Sequence, residues 1–232
     1  MFYYDTSFII LIPAMIFAMI AQGSVSRTFR KYSNIRNRKN LTGAEAARMV
    51  LDNNGLNNVE VEHVRGNLTD HYDPRKRVLR LSDSVYGSNS VSAVSVACHE
   101  VGHAIQHAKG YVPLKIRDGI VPIVNLASNL TWPLVLIGFF LLTAGNYVQG
   151  NMIFNIGVIT FIAVIAFHII TLPVEFNASR RAINQMQEYG IVGDEEVVGS
   201  KKVLRAAAMT YVAALAVAVA NLIRILALRS RD

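Results

Sequence analysis

The chain has 232 residues, of which 52% are apolar and only 17% charged, and its mean hydropathy is positive. This composition excludes a disordered chain and favours a membrane protein with a modest soluble part. The net charge of +7 invites a nucleic-acid interpretation, but the basic residues cluster beside apolar runs. We therefore interpret the excess as membrane topology and attraction to anionic lipid, and we expect no nucleic-acid partner.

The first apolar run lies close to the N-terminus. Residues 6–26 carry no charge, and a run of about 20 such residues is long enough to cross a bilayer. No basic segment precedes the run and no small-residue cleavage site is evident, so a signal peptide is the weaker interpretation. We predict an uncleaved first span within residues 1–26.

The main extramembrane domain is expected over residues 27–118. Thr42-Gly43-Ala44-Glu45 resembles a capping box and predicts a helix that ends near Gly55. Residues 59–62 alternate as a strand does, Asp73-Pro74 indicates a turn, and residues 77–81 are strand-like. The pattern predicts a small α+β domain, and the strand near 77–81 could pair with an extended substrate at its edge.

A metal-binding motif occupies the next predicted helix. Ser88-Asn89-Ser90 can cap a helix that runs to Lys109, and this helix contains His99-Glu100-Val101-Gly102-His103. Helical positions four apart lie one above the other, so His99 and His103 can offer two imidazole nitrogens to one divalent metal. Glu100 can then take a proton from a metal-bound water, which is the zincin pattern. A chance match is the alternative.

The single cysteine, Cys98, adjoins this motif. No intramolecular disulfide can form, and we expect a small buried residue in preference to a catalytic thiol.

Three further spans are expected after this domain. Residues 119–174 contain no charged residue, which is enough for two spans with a short loop near 145–151. Residues 175–205 form an extramembrane segment, and residues 206–232 form the fourth span and tail. The predicted fold is a polytopic α-helical membrane protein with four spans and a small cytoplasmic α+β zincin-like domain.

Basic residues beside the spans predict the orientation. They favour cytoplasmic positions for residues 27–118 and 175–205, with both termini outside; Arg229 and Arg231 at the external C-terminus run against this. The basic residues that carry the prediction are Arg27, Arg30, Lys31, Arg36, Arg38, Lys39, Lys109, Lys115, Arg117, Arg180, Arg181, Lys201, Lys202 and Arg205.

A catalytic zinc site needs a third protein ligand. His107 is eight residues from His99, so a helix separates the two by about 12 Å along its axis, which is too far for one ion. Glu175 lies at the end of the uncharged stretch, on the side predicted for His99, and is the preferred candidate. Its alternative role is that of an acid at the start of a helix after Pro173. His168 is more typical of a packed core histidine.

These residues carry a resemblance to a known family. Asp70–Pro74, His99–His107, Pro173–Phe176 and Lys201–Ala207 look like the YugP-type neutral zinc membrane metallopeptidases of bacteria, over essentially the whole chain. The resemblance implies a peptidase embedded in the bacterial inner membrane. It also implies that His99 and His103 are zinc ligands and that Glu100 is the catalytic acid and base.

A more distant resemblance concerns the third ligand. Residues 175–179 are similar to the Glu-x-x-Ala-Asp helix of HtpX-type and prenyl-protein membrane proteases, whose Glu binds zinc; this implies the same role for Glu175. Ser179 stands at the Asp position of that helix, and Asn177 stands where the closer family is expected to have Asp.

The expected function is that of a zinc-dependent endopeptidase, gluzincin-like, which cleaves a protein or peptide substrate at the cytoplasmic membrane face. Candidates for stabilising the oxyanion or supporting the metal are His107, His71, Arg180 and Arg181. A non-catalytic zinc-binding membrane scaffold or adaptor is the main alternative. A transporter is disfavoured, since ionisable residues in the spans are few. The sequence identifies neither the substrate nor a membrane-protein partner.

Overall fold

The computed structural model describes residues 6–229. A short 3-10 turn at Thr6–Ile10 leads into six α-helices and three strands. The helices are α1 Leu11–Ser33, α2 Gly43–Asn53, α3 Val91–Ala108, α4 Val112–Thr143, α5 Tyr147–Glu188 and α6 Asp194–Arg229; the strands are β1 Glu60–Val64, β2 His71–Asp73 and β3 Val78–Ser82.

Four of the helices are long and apolar enough to cross a membrane. They cover Phe8–Ser33, Val112–Thr143, Tyr147–Glu188 and Asp194–Ala227. The prediction of four apolar spanning helices beside a small sheet is therefore confirmed by length and composition. Helices α4 and α5 are joined by residues 144–146, so the connection is shorter than the loop expected near 145–151.

The chain divides into two compact units. Among the described residues, the first unit comprises 6–19, 116–172 and 211–229, and the second comprises 20–115 and 173–210. Small residues bring helices close together in the first unit: a Cβ at Gly138 would lie 2.5 Å from the backbone nitrogen of Phe154. The hydroxyls of Thr131 and Thr160 hydrogen-bond at 3.0 Å. Small residues and hydroxyl pairs of this kind are typical of helix packing in membranes.

The second unit has a hydrophobic core formed by helix α2, the sheet and helix α3. The Thr42 hydroxyl accepts from the Glu45 backbone nitrogen, while the Glu45 carboxylate accepts from the Thr42 nitrogen at 2.8 Å. The predicted capping box is thus confirmed, and it satisfies backbone donors that the first turn of a helix leaves free. Leu51 and Leu79 are fully buried in the core that α2 and the sheet share with α3.

The sheet has the strand order β1-β3-β2. Strand β1 pairs with β3 in parallel, from Glu60 opposite Val78 to Val64 opposite Ser82, and β2 pairs with β3 antiparallel. Because β3 is the central strand, both of its edges are already paired. The expectation that residues 77–81 could pair with a substrate at a free edge is wrong, and within residues 6–229 the unpaired sheet edges are those of β1 and β2.

Helix α3 begins and ends where its sequence predicts. The Ser90 hydroxyl caps it by accepting from the Ala93 nitrogen at 3.2 Å, and Gly110 follows its end with a φ of +63°, a conformation that favours glycine. One face of α3 lies directly against α5. A Cβ at Gly102 would stand 2.6 Å from the carbonyl oxygen of Ala178, so only glycine permits this approach.

Candidate metal centre

Helix α3 presents two imidazole rings from successive turns. His99 and His103 are four residues apart, and their ring centroids lie 4.8 Å apart with the ring planes at 87°. This is the arrangement that the helical spacing predicts, with both rings on one face. That face is turned toward α5, where Gly102 permits close contact.

Helix α5 carries Glu175 into this contact. The helix runs without a break through Pro173, although proline removes a backbone donor and usually kinks a helix. Glu175 therefore lies in the interior of a 42-residue helix, and the alternative role of a helix-start acid does not apply. The residue is only 4% exposed, and burial of a carboxylate is costly unless charge or hydrogen bonding compensates it.

The three candidate ligands converge on one point. The Glu175 Oε2 atom lies 3.3 Å from His99 Nε2 and 3.6 Å from His103 Nε2. One ligand atom from each residue lies within 4.8 Å of the others. Donor atoms bound to a tetrahedral zinc at 2.0–2.1 Å stand about 3.3 Å apart, so these residues fit a zinc ion. Two imidazoles and a carboxylate also match the donor set that catalytic zinc prefers.

A hydrogen-bonded chain assigns the proton on His103. The Gln106 side-chain nitrogen donates to the Val174 carbonyl oxygen at 2.8 Å and to Asn177 Oδ1 at 3.0 Å. A carbonyl can only accept, so the Gln106 oxygen must face His103 Nδ1, 3.0 Å away, and accept from it. His103 then carries its proton on Nδ1, which leaves the Nε2 lone pair for a metal.

Ser179 and Asn177 are the two neutral residues at positions where the resemblance led us to expect aspartate. The Ser179 hydroxyl lies 3.2 Å from His99 Nδ1 and supports that ring on the side away from Nε2. Asn177 Oδ1 accepts from Gln106 and also from Arg181 Nε at 2.8 Å. Neutral oxygens here hold the histidine rings and the Gln106 amide in place.

Glu100 faces the sheet. Its Oε2 atom accepts from the Tyr72 backbone nitrogen at 3.1 Å, and the residue is only half-buried. The Tyr72 hydroxyl in turn lies 3.0 Å from His107 Nδ1. His107 is therefore partnered with Tyr72 and lies outside the cluster of ligand atoms.

Tyr72 and Gln106 are the residues that sequence reasoning did not assign. Both lie within segments that resemble the family, but only their contacts with Glu100 and His103 show what each one positions. Burial raises the pKa of the Tyr72 hydroxyl. The phenol therefore stays protonated at neutral pH and can donate a hydrogen bond.

Asp70 fastens the strand that carries Tyr72. Its carboxylate accepts from the Ser82 backbone nitrogen at 2.7 Å and from the Ser82 hydroxyl at 2.9 Å. Burial raises the pKa of Asp70, and these two hydrogen bonds oppose that rise. The contact fixes the start of β2 against the end of β3.

The remaining candidates lie elsewhere. The His71 Nδ1 atom faces the Thr69 carbonyl oxygen at 2.8 Å, and Arg180 is exposed beside α6. His168 packs against Phe167 within the first unit and is not among the clustered ligands of the described residues. Burial raises the pKa of the Cys98 thiol to about 12, so a reactive thiolate does not form at neutral pH.

Comparisons with known proteins agree with this chemistry. The model of the family described as "Putative neutral zinc metallopeptidase" matches residues 7–230. A curated relative, the "Putative membrane protease YugP" of Bacillus subtilis (strain 168), is 48% identical over 213 residues, which is 92% of each chain. No solved structure matches the chain.

Proposed function

Because this chain belongs to that family of neutral zinc metallopeptidases, we propose that it is a zinc-dependent membrane endopeptidase that hydrolyses peptide bonds at the cytoplasmic membrane face. The observation that carries the proposal is the convergence of His99 and His103 on α3 with Glu175 on α5, whose Oε2 atom lies 3.3 Å and 3.6 Å from the two Nε2 atoms. Helix α3 also bears Glu100. An HExxH helix with a distant glutamate ligand is the gluzincin arrangement.

His99, His103 and Glu175 would hold the zinc ion. Gln106 and Ser179 would keep the two imidazole rings oriented with their Nε2 atoms toward it. When bound, zinc supplies Lewis-acid polarisation of the scissile carbonyl and lowers the pKa of a bound water. Three protein ligands would match the number that a catalytic zinc site takes from its protein.

Glu100 performs the proton transfers. Its carboxylate accepts a proton from the attacking water as the water oxygen bonds to the carbonyl carbon. It then donates that proton to the amide nitrogen as the carbon–nitrogen bond breaks, so one residue serves as base and then as acid. The Tyr72 backbone N–H, which now hydrogen-bonds to Glu100, orients the carboxylate for this task.

The free edge of β2 supports a docking mode for the substrate. Strand β2 pairs only with β3 among the described strands, and the Tyr72 N–H points from β2 to Glu100. An extended peptide added beside β2 would bring its backbone to the catalytic carboxylate through main-chain hydrogen bonds. We propose the Tyr72 hydroxyl, which lies 3.0 Å from His107 Nδ1, as the neutral donor to the developing oxyanion.

The charge distribution supports the cytoplasmic assignment. Basic residues flank the apolar helices at the ends that adjoin 27–118 and 175–205, and the positive-inside rule assigns such ends to the cytoplasm. The membrane is the inner membrane in this proposal, and the substrate is a protein or peptide that reaches its cytoplasmic face.

The test measures zinc content and peptide cleavage by the purified full chain, beside Glu100→Gln. The amide keeps the shape of the side chain but cannot take the proton, so the variant should retain one zinc and lose turnover. The loss should exceed the roughly 10²–10⁴-fold typical of one acid–base group, since Glu100 serves both transfers.

Glu60→Gln is the matched control, because Glu60 is an exposed carboxylate on β1. It should cleave at the wild-type rate. Near-normal cleavage by Glu100→Gln would reject the proposal. A wild-type chain that binds zinc stoichiometrically but cleaves no peptide in a broad peptide library would favour the scaffold alternative.

A further inference from the structure

A groove between α5 and α6 adjoins the ligand cluster, but none of the three candidate ligands lines it. We call it the cationic groove; it encloses about 520 Å³ and belongs entirely to the second unit. Its charged lining consists of Arg180, Lys201 and Arg205, and its apolar lining includes Phe176 and Leu204.

The three cations face solvent and lack acidic partners. Arg180, Lys201 and Arg205 are all exposed, and none takes part in an ion pair among the described residues. No aspartate or glutamate of residues 6–229 lines the groove. Three like charges in one groove repel one another, so the groove is electrostatically poised for an anion.

Apolar surface accompanies these charges. Phe176 is 43% exposed at one end of the groove, and Ile183, Leu204 and Ala208 line its walls. An inorganic anion would leave that surface uncovered. A ligand with an anionic head and an apolar body satisfies both kinds of lining.

The cations also stand where the apolar helices end. Arg180 follows Val174, the last residue of the uncharged run 119–174, by six residues, or about 9 Å of helix. Arg205 directly precedes the uncharged run 206–223. Basic residues at this level of a spanning helix meet the headgroups of the bilayer.

We propose that the cationic groove binds the headgroup of an anionic phospholipid, with Arg180, Lys201 and Arg205 around the phosphodiester and the glycerol and upper acyl chains against Phe176 and Leu204. Basic pockets between spanning helices are suited to such headgroups. The proposal goes beyond peptide hydrolysis and does not depend on it.

An acidic substrate segment is the competing occupant, and the position of Ser179 disfavours it. Ser179 lines the groove, and its hydroxyl contacts His99 at Nδ1, on the opposite side of the ring from the Nε2 atom that faces Glu175. The groove thus lies behind His99, away from the point where the ligand atoms converge.

The test uses the full chain purified in detergent, with binding of phosphatidylglycerol and phosphatidylcholine measured by native mass spectrometry. The wild type should retain phosphatidylglycerol preferentially. Each of Arg180→Gln, Lys201→Gln and Arg205→Gln should weaken that binding about fivefold, which corresponds to roughly 1 kcal/mol per basic residue near a membrane surface.

Lys202→Gln is the matched control, because Lys202 is an exposed neighbour of Lys201 that does not line the groove. It should bind phosphatidylglycerol as the wild type does. An equal loss of phosphatidylglycerol binding in Lys202→Gln would show that any nearby positive charge has the same effect, and it would overturn the proposal.

Two competition arms separate the other occupants. Millimolar inorganic phosphate should displace the lipid poorly, since it gains nothing from the apolar walls. If phosphate displaces it completely, the groove is a phosphate site and the lipid assignment is wrong. If an acidic peptide binds, with losses in the same three variants, while phosphatidylglycerol does not, the groove is a peptide-docking site instead.

Discussion

At the scale of single residues, the centre depends on which nitrogen of each imidazole is free. The Val174 carbonyl forces the Gln106 amide into one orientation, and that orientation puts the His103 proton on Nδ1. Ser179 can either donate or accept, so its contact holds the His99 ring without dictating the proton position. Gln106 therefore fixes both the orientation and the proton position of the His103 ring, whereas Ser179 fixes only the orientation of the His99 ring.

The first prediction concerns the third ligand. Glu175→Gln should lose most zinc affinity, because a neutral amide is a poor ligand, whereas His107→Ala should keep zinc, because His107 contacts Tyr72 and not the cluster. Competition with a graded series of chelators at equal folded yield can rank the two variants. If His107→Ala releases the metal and Glu175→Gln retains it, Glu175 is not the third ligand.

The second prediction concerns the support of His103. Gln106→Ala should lower zinc affinity about 10–100-fold, because the ring loses the acceptor that fixes its proton and orientation. The same chelator competition measures the change, with Gln149→Ala as a control because Gln149 is exposed and outside the centre. Wild-type affinity in Gln106→Ala would mean that packing alone orients His103.

At the scale of secondary-structure elements, the contact between α3 and α5 brings residues distant in sequence together. Gly102 lies one position before His103, and the backbone of Ala178 occupies the space a side chain would need. Because the Ala178 atoms that a side chain at Gly102 would meet belong to the backbone, α5 cannot yield to such a side chain without moving the candidate ligand that it carries. Strand β2 also brings distant residues together, since its Tyr72 N–H donates to Glu100, 28 residues further along the chain.

The third prediction tests this helix contact. Gly102→Ala should destabilise the chain by about 1–3 kcal/mol, the usual cost of overpacking, despite the better helix propensity of alanine. The melting temperature in detergent and the zinc affinity should both fall. Gly23→Ala on α1 meets no atom within 4 Å and should be neutral or slightly stabilising. An unchanged melting temperature and zinc affinity in Gly102→Ala would contradict a tight α3–α5 contact.

At the scale of the whole molecule, the described residues contain four helices that are long and apolar enough to cross a membrane, so we expect the segments between them to alternate between its two sides. The positive-inside rule predicts that 27–118 and 175–205 lie in the cytoplasm and that the connection between α4 and α5 lies outside. Both units contain parts of the same long helices, since α5 contributes residues to each of them. Because the candidate metal centre is built from residues of 27–118 and 175–205, the side on which these segments lie is also the side on which the proposed substrate must be present.

The fourth prediction tests this orientation with a membrane-impermeant thiol reagent on intact cells. A cysteine in place of the exposed Gln149 should react, whereas Gly87→Cys, which has open space around it, should react only after permeabilisation. The native Cys98 is 1% exposed and serves as the unreactive internal reference. The reverse pattern would place the candidate metal centre outside the cell.

Local signals predicted much of the fold. The capping box of Thr42 and Glu45, the Ser90 cap of α3 and the spacing of His99 and His103 all depend on contacts within about one helical turn, so a short stretch of residues suffices to specify them. The lengths of the apolar runs are equally local, because a bilayer sets one thickness for every span. For these features the order of the residues was enough.

Other features were decided only by the tertiary structure. Strand β2 has only three residues, which is too short for a recognisable alternating pattern. The central position of β3 depends on a pairing with β1 that no local pattern encodes. The meeting of Glu175 with His103 spans 72 residues and requires α5 to continue through Pro173 and α3 to approach at Gly102. The sequence determined which residues could bind a metal; packing between distant helices decided which of them meet, because close approach depends on the surfaces of both partners.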